Sequence, residues 1–335
     1  MKENKITKKI NKYNEVPVLG SLLQYVKTNA GILVAFLTLF VLLAIFADNF
    51  LTSDNLLNVL RTVSTNVLLA IGVMMALMLG GIDLTGGALV ALASCASVIL
   101  IDKFSIPIVL AMFISVLVGT IVGAINGAII AYSGIHPFIV TLAMMNICRG
   151  FSYLVCNGQP WTLYGYDEFS KFGNGNLAGI PYPIFYMIFF LICTYILLNK
   201  TRAGRHIYAV GGNPIAAKYS GINIKKINIM VWSISGTLAA FAGIVLASRM
   251  TSGQPSLGVG YETDAIAASV VGGVSMYGGQ GSVGGMIIGA LIIGLISNGL
   301  NLLHVNSYWQ YVVKGVIILL AVYIDMMRKR NRNNS

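Results

Sequence analysis

Ten stretches of almost unbroken apolar sequence decide what this chain can become. They run over roughly residues 29–47, 62–80, 84–101, 106–131, 137–156, 182–198, 229–248, 263–278, 283–300 and 308–326. A helix rises 1.5 Å per residue, so about 20 such residues cross a hydrocarbon core. The composition agrees: 56% of the residues are hydrophobic and 10% charged, against about 25% charged in a soluble domain. Too few polar side chains are present to clothe a surface in water. The expected class is an all-α polytopic membrane protein with about ten transmembrane helices. Two of these, 84–101 and 263–278, are short, broken by glycine and opened by acidic residues.

The net charge is +11, which raises nucleic acid as a partner. A nucleic-acid binder gathers its basic residues on one folded face. Here they fall in three blocks between apolar runs: Lys2 to Lys27, Lys200 to Lys226, and Arg328 to Arg332. That is the positive-inside pattern, with membrane lipid as the neighbour and no nucleic acid. Six spans separate the first block from the second and four the second from the third. Both numbers are even, so all three blocks share the cytoplasmic side. The organisation is a basic cytoplasmic segment 1–28, a transmembrane domain 29–326 containing a cytoplasmic loop 199–228, and a basic tail 327–335. No A-x-A cleavage site follows the first run, so an uncleaved anchor is expected there. Cys95, Cys148, Cys156 and Cys193 lie in or at the ends of apolar runs without paired spacing, as buried small hydrophobes do.

GGQGSVGG (278–285) contains G-x-G-x-x-G. A dinucleotide site needs a preceding strand and an acid about 20 residues later, yet after Asp264 the next acid is Asp325. The seven glycines of 272–285 fit close helix approach and a tight break instead. VGTIVGAINGAII (118–130) resembles VGGMIIGALIIGLI (283–296), and the second lies five spans after the first. An odd number sets the copies antiparallel through the membrane, as in inverted repeats. GGIDLTGGALVALA (80–93) and GVGYETDAIAASV (258–270) form a second matched pair. Asp83 and Thr85 are either ordinary helix caps or lining groups at a broken helix.

Five segments carry a family resemblance: GGIDLTGGALVALA (80–93), HPFIVTLAMMNICRG (136–150), KTRAGRHIYAVGGNPIAAKYSGINIKKI (200–227), GYETDAIAASVVGGVSMYGGQGSVGG (260–285) and SYWQYVVKGVIILLAVYID (307–325). From about residue 30 to 326 the chain resembles the membrane subunit of monosaccharide ABC importers, nearest to the ribose-type permease. The resemblance implies a pair of permeases docked on an ABC ATPase subunit, with an extracytoplasmic sugar-binding protein delivering substrate at a bacterial cell membrane. ATP and Mg then belong to the ATPase, and this chain binds no cofactor and is not an enzyme. The sequence meets that demand: it has no G-x-x-x-x-G-K-[ST] and no His/Cys/Asp cluster with ligand spacing.

In the cytoplasmic loop, Asn213 as cap, Pro214 in the first turn and Gly221 as stop mark a short helix. By resemblance it is the coupling helix, carried by Asn213, Pro214, Ala216, Ala217, Lys218, Tyr219, Ser220 and Gly221. The alternative is a loop held by anionic lipid. A neutral sugar wants hydrogen-bonding groups along its path, and the candidates on spans are Asn66, Asn126, Asn146, Asn298 and Gln310. Helix–helix hydrogen bonding accounts for each equally well. Arg149 and Lys314 either snorkel or pair with Glu262 and Asp264. Arg249 and Glu262 are placed as an outer ion pair, structural or gating. The competing class is an ion-coupled secondary sugar transporter. Such a protein usually carries several intramembrane carboxylates, and here Asp83 is nearly alone.

Overall fold

The computed structural model describes residues 30–333. The basic segment 1–28 and the last two residues of the tail lie outside them. Thirteen helices are formed among the described residues. They are α1 (Ala30–Phe46), α2 (Ser53–Met78), α3 (Gly86–Asp102), α4 (Ile108–Ser133), α5 (Pro137–Val155), α6 (Asp167–Asn174), α7 (Tyr182–Lys200), α8 (Arg202–Gly212), α9 (Pro214–Tyr219), α10 (Ile224–Met250), α11 (Tyr261–Val271), α12 (Val283–Leu302) and α13 (Ser307–Asn333). Four two-residue strands form two pairs. β1 (Trp161–Thr162) joins β4 (Ser252–Gly253), and β2 (Asn176–Leu177) joins β3 (Ile180–Pro181), both antiparallel; only the second pair is a hairpin.

Six helices are long and apolar enough to cross a membrane: α2, α4, α5, α7, α10 and α12. The shorter helices α1 and α3 and the stretch Tyr308–Leu320 of α13 are also apolar. Each of the ten expected stretches therefore contains a helix. The span expected at 263–278 stops early, however: α11 has 11 residues, about 16 Å of rise, which is roughly half a crossing. Glycines 272, 273, 278 and 279 then carry the chain through a loop, three of them at positive φ.

The core is built on α2 and α10. Met74, Met75, Ala76, Leu77 and Met78 of α2 and Ala242, Ile244, Val245 and Ala247 of α10 are wholly enclosed. The long helix α2 packs on α11 and α12, while α10 packs on α3 and α4. Lipid tails are as apolar as these side chains, so close packing and hydrogen bonds supply the drive for helix association. The α4–α10 contact illustrates how. Gly119, Gly123 and Gly127 recur every four residues on α4 and lie against Gly236, Trp232 and Ile229 of α10. A Cβ at Gly119 would stand 2.6 Å from the Gly236 carbonyl, and one at Gly127 2.7 Å from the Ile229 Cα. The backbones touch, and Thr120 and Thr237 share a hydrogen bond of 2.7 Å beside them. The opposite side of α4 presents Phe113, Leu117, Ile121 and Ile125, all exposed. Cys95, Cys148 and Cys156 are buried as expected, but Cys193 is exposed, because it lies on the outward face of α7 with Phe189, Ile192 and Ile196.

Candidate functional site

Two interruptions bring polar groups into this apolar core. The first follows α2. Gly80 turns the chain with φ +79, residues 81–85 run back inward without helical structure, and α3 begins at Gly86. The second follows α10. Thr251 turns with φ +46, β4 pairs with β1, and the chain then descends alongside α3. Gly253 abuts Cys95, and Gly258 abuts Gly87. Those two α3 residues are eight apart, so the descent is about 12 Å. It ends at Gly260 (φ +84), where α11 starts beside the first turn of α3. The two half-helices thus begin together and run to opposite ends of the molecule. The N-terminus of a helix is its positive end.

Around the first interruption the structure joins three expected residues, Asp83, Thr85 and Asn126, and adds Ser235. Asp83, 3% exposed, accepts through Oδ1 from the Thr85 N–H at 2.9 Å. Its Oδ2 accepts from Ser235 Oγ of α10 at 2.6 Å. Thr85 holds the cap position of α3 but makes no side-chain cap bond. Its hydroxyl accepts instead from Asn126 Nδ2 of α4 at 2.9 Å. Asp83 closes a short turn onto the Thr85 N–H just before α3 begins. On the far side, Thr141 Oγ1 of α5 donates to the Ile82 carbonyl at 2.9 Å, and the Trp232 ring covers Gly81. Asn126 Oδ1 and Trp232 Nε1 are buried without a hydrogen-bond partner.

Around the second interruption the structure pairs Lys314 with Asp264. Lys314 Nζ of α13 donates to Asp264 Oδ2 at 2.7 Å, the one ion pair among the described residues. Arg149 of α5 donates to the carbonyls of Pro255 and Leu257, each at 2.7 Å, and so staples the descending loop to α5. Its charge also acts on Glu262. The expected Arg249–Glu262 pair is not formed. Arg249 stays at the end of α10 against Gly173, while the descent of residues 252–260 carries Glu262 down to Gly87. There Glu262 Oε1 accepts from the Gly260 N–H at 3.3 Å, and Oε2 lies buried against the first turn of α3.

The remaining candidates scatter. Asn298 of α12 and Asn55 of α2 exchange two amide hydrogen bonds, 2.8 and 3.2 Å, and so bind those helices together. Asn146 bonds back to the Leu142 carbonyl of its own helix at 3.1 Å, on an exposed face. Asn66 is half-buried on α2 and makes no side-chain hydrogen bond among the described residues. Gln310 donates to Asn301 at 2.7 Å and lines a hollow with Lys314.

The loop 199–228 folds as α8 and α9. Asn213 Oδ1 accepts from the Ala216 N–H at 2.9 Å, Pro214 opens α9, and Gly221 leaves with φ +82. Ala217 is buried, whereas Ile215 and Tyr219 are 69% and 89% exposed. Pro214, Ile215, Lys218, Tyr219 and Ile224 surround a hollow of about 370 Å³. Immediately before α9, three chain segments meet backbone to backbone. A Cβ on Gly211 would overlap the Met78 carbonyl and stand 2.6 Å from Gly279 N. Gly279 N itself donates to the Met78 carbonyl at 2.9 Å, and Tyr208 Oη to the Gly281 carbonyl at 2.8 Å. Burial raises the pKa of Tyr208, which keeps it a donor. This is where the glycines of 278–281 are used: they let one short helix rest directly on the end of α2 and on the loop that leaves α11.

Sequence reasoning missed Ser235, Thr141 and Trp232. Ser235 sits in WSISG (232–236), where hydroxyl and small residues cluster within an apolar run. That cluster was the available signal for it.

The ribose import permease protein RbsC of Escherichia coli (strain K12) is 43% identical over 299 residues, covering 88% of this chain and 92% of that protein. RbsC of Bacillus subtilis (strain 168) is 45% identical over 294 residues, 87% of this chain and 91% of that one. The D-allose transport system permease protein AlsC of Escherichia coli (strain K12) is 38% identical over 297 residues, 87% and 90%. Residues 55–322 match the model of the branched-chain amino acid transport system / permease component family, and with two interrupted helices meeting inside an apolar bundle, the chain belongs to that family of membrane permeases.

Proposed function

We propose that this chain is the membrane-spanning permease subunit of an ATP-driven sugar importer, carrying ribose or a related monosaccharide. It works with a separate ABC ATPase and an extracytoplasmic binding protein, and it catalyses no reaction. Its relatives carry ribose, D-allose and L-arabinose in their names, which supports a monosaccharide and leaves ribose as the first substrate to try. Asp83, Thr85, Asn126 and Ser235 at one break, and Arg149, Glu262, Asp264 and Lys314 at the other, are the groups best placed to line or gate a path. ATP and Mg are held by the ATPase chain.

The observation that carries the mechanism is the contact behind α9. Gly211 leads into that helix and rests on Met78, at the approach to the first interruption, and on Gly279, in the loop that leaves α11. A motor gripping Ile215 and Tyr219 would therefore push on the first break and on the far end of α11 at once. Asn213, Pro214, Ala216, Ala217, Lys218, Tyr219, Ser220 and Gly221 are the coupling residues in this account. The ten-crossing arrangement, with both termini cytoplasmic and the basic loop on the same side, follows from charge and parity. The inverted repeat is supported by the order of elements: a long helix, a break, a half-helix and two more helices occur in α2–α5 and again in α10–α13. The packing is exchanged in the same sense, since α2 lies on α11 and α12 while α10 lies on α3 and α4. A second permease copy completes the assembly.

Reconstitution in proteoliposomes tests the assignment. Uptake of D-ribose, D-allose or L-arabinose should require the ATPase subunit, ATP and the binding protein, and survive an ionophore. Uptake without the ATPase that the ionophore abolishes would overturn it in favour of an ion-coupled carrier.

A further inference from the structure

The hollow beside the start of α11 has a volume of about 390 Å³ and is lined by Tyr261, Thr263, Asp264, Gln310, Tyr311 and Lys314, among others. It lies within the size range of small-molecule sites. Lys314 is seven residues into α13, about 10 Å along that helix, so the hollow opens sideways from the body of the bundle rather than at its end. The lining carries an ammonium, a carboxylate, an amide and three hydroxyls, and lipid tails offer none of them a hydrogen bond beyond those they make within the protein.

From these side chains we infer that the hollow is a monosaccharide subsite on the transport path, an inference that rests on the sugar-importer assignment. The chemistry selects the ligand. Lys314 and Asp264 neutralise each other at 2.7 Å, so the site holds no net charge for an inorganic ion or a phosphate. What remains is a mixture of donors and acceptors. Lys314 Nζ keeps two N–H donors beyond the one given to Asp264. Asp264 Oδ1 and Gln310 Oε1 accept no side-chain hydrogen bond among the described residues. Thr263 donates to the Gly260 carbonyl at 2.6 Å and keeps its lone pairs. Such a set suits hydroxyls, which both give and take hydrogen bonds. Tyr261 and Tyr311 add ring faces against which the C–H face of a sugar can lie. Tyr311 is 63% exposed and stands at the mouth. The half-helix α11 begins at this spot, so a sugar held here would touch the element whose far end meets the coupling loop.

Site-directed labelling tests this. Thr263→Cys and Tyr311→Cys, each with Cys193→Ser, are assembled with the ATPase in nanodiscs and reacted with a polar maleimide. D-ribose, D-allose and L-arabinose are the probes, and glycerol is the control. At a sugar concentration about ten times Kd, at least one of the three sugars should slow labelling about ten-fold at both positions. Glycerol should do nothing. Adding Gln310→Ala should abolish the protection while the complex still co-purifies. Two outcomes would overturn the subsite: no protection by any of the three sugars in a complex that imports them, or protection that follows lipid headgroup composition. Failure of the wild-type complex to import any sugar would count against the importer assignment, a separate result.

Discussion

Two adjacent glycines give the sharpest test of how force reaches the core. At Gly212 an added Cβ meets nothing within 4 Å. At Gly211 it would overlap the Met78 carbonyl and lie 2.6 Å from Gly279 N, well inside the ~3.5 Å at which non-bonded atoms rest. Gly211→Ala must therefore push three backbone segments apart. Overpacking of this kind costs about 1–3 kcal/mol. The Gly279 N–H to Met78 bond of 2.9 Å is strained in the process, worth about 0.5–1.5 kcal/mol more. The displaced contact is the one that joins the approach to α9 to the end of α2 and the loop after α11. At 1.4 kcal/mol per decade, a mismatch of about 2–4 kcal/mol between motor and core should cut uptake about ten-fold or more. ATP hydrolysis by the same reconstituted complex should continue, because the exposed face of α9 is untouched. Gly212→Ala should leave uptake within about two-fold of wild type, since surface changes away from special contacts stay within ±0.5 kcal/mol. Equal effects of the two substitutions on the ratio of sugar imported to ATP hydrolysed would refute the reasoning.

Four further outcomes are expected. Gly123→Leu should destabilise the detergent-solubilised protein by at least about 1–3 kcal/mol, seen as a lower midpoint of thermal unfolding, because a Cβ there overlaps the Trp232 carbonyl. Gly150→Leu, with nothing near its Cβ, should leave the midpoint unmoved. Ser235→Ala removes the donor to buried Asp83 and should cost about 1.5–3 kcal/mol by the same measurement. Lys314→Met strands Asp264, and since Lys314 is 21% exposed the cost should fall near the low end of the range for broken buried pairs, about 3 kcal/mol. Adding Asp264→Leu should recover part of it, and strict additivity of the two changes in a double-mutant cycle would argue against any coupling.

The bundle was legible because membrane helices are written in a strong code: length, apolarity and charge parity. The short helix α9 was legible for a local reason, since Asn213, Pro214 and Gly221 specify their own geometry within one short stretch. What could not be read was depth. Arg249 and Glu262 are close in sequence and both near an expected outer edge, so a surface ion pair followed naturally. The ladder between β4 and β1 and the glycines at 253 and 258 send the chain back down α3, and no periodicity announces a descent of that kind. For Asn298 the structure shows the helix–helix hydrogen bond that sequence could not separate from a place on a path. An amide on an apolar span looks the same in sequence whether it faces a cavity or, as here, another amide across a helix contact.

Polar groups in this protein cluster at breaks, and physical cost explains why. A regular span satisfies every backbone group within itself, so it can be apolar throughout. A break leaves N–H and carbonyl groups that must find partners inside the core. Asp83 takes up the Thr85 N–H ahead of α3, Thr141 takes up the Ile82 carbonyl, and Arg149 binds the carbonyls of Pro255 and Leu257. Each of these polar side chains answers a backbone group freed by an interruption. The breaks are consequently the places where the core has exchangeable hydrogen bonds rather than fixed van der Waals contact. The first of them adjoins the end of α2 on which α8 rests, and α11 links the second to the loop 273–282 that α8 also touches. In the proposed importer a sugar would meet exchangeable hydrogen-bonding groups at these breaks, while a push on α8 would reach the first break, 79–86, directly and the second, 251–261, through α11.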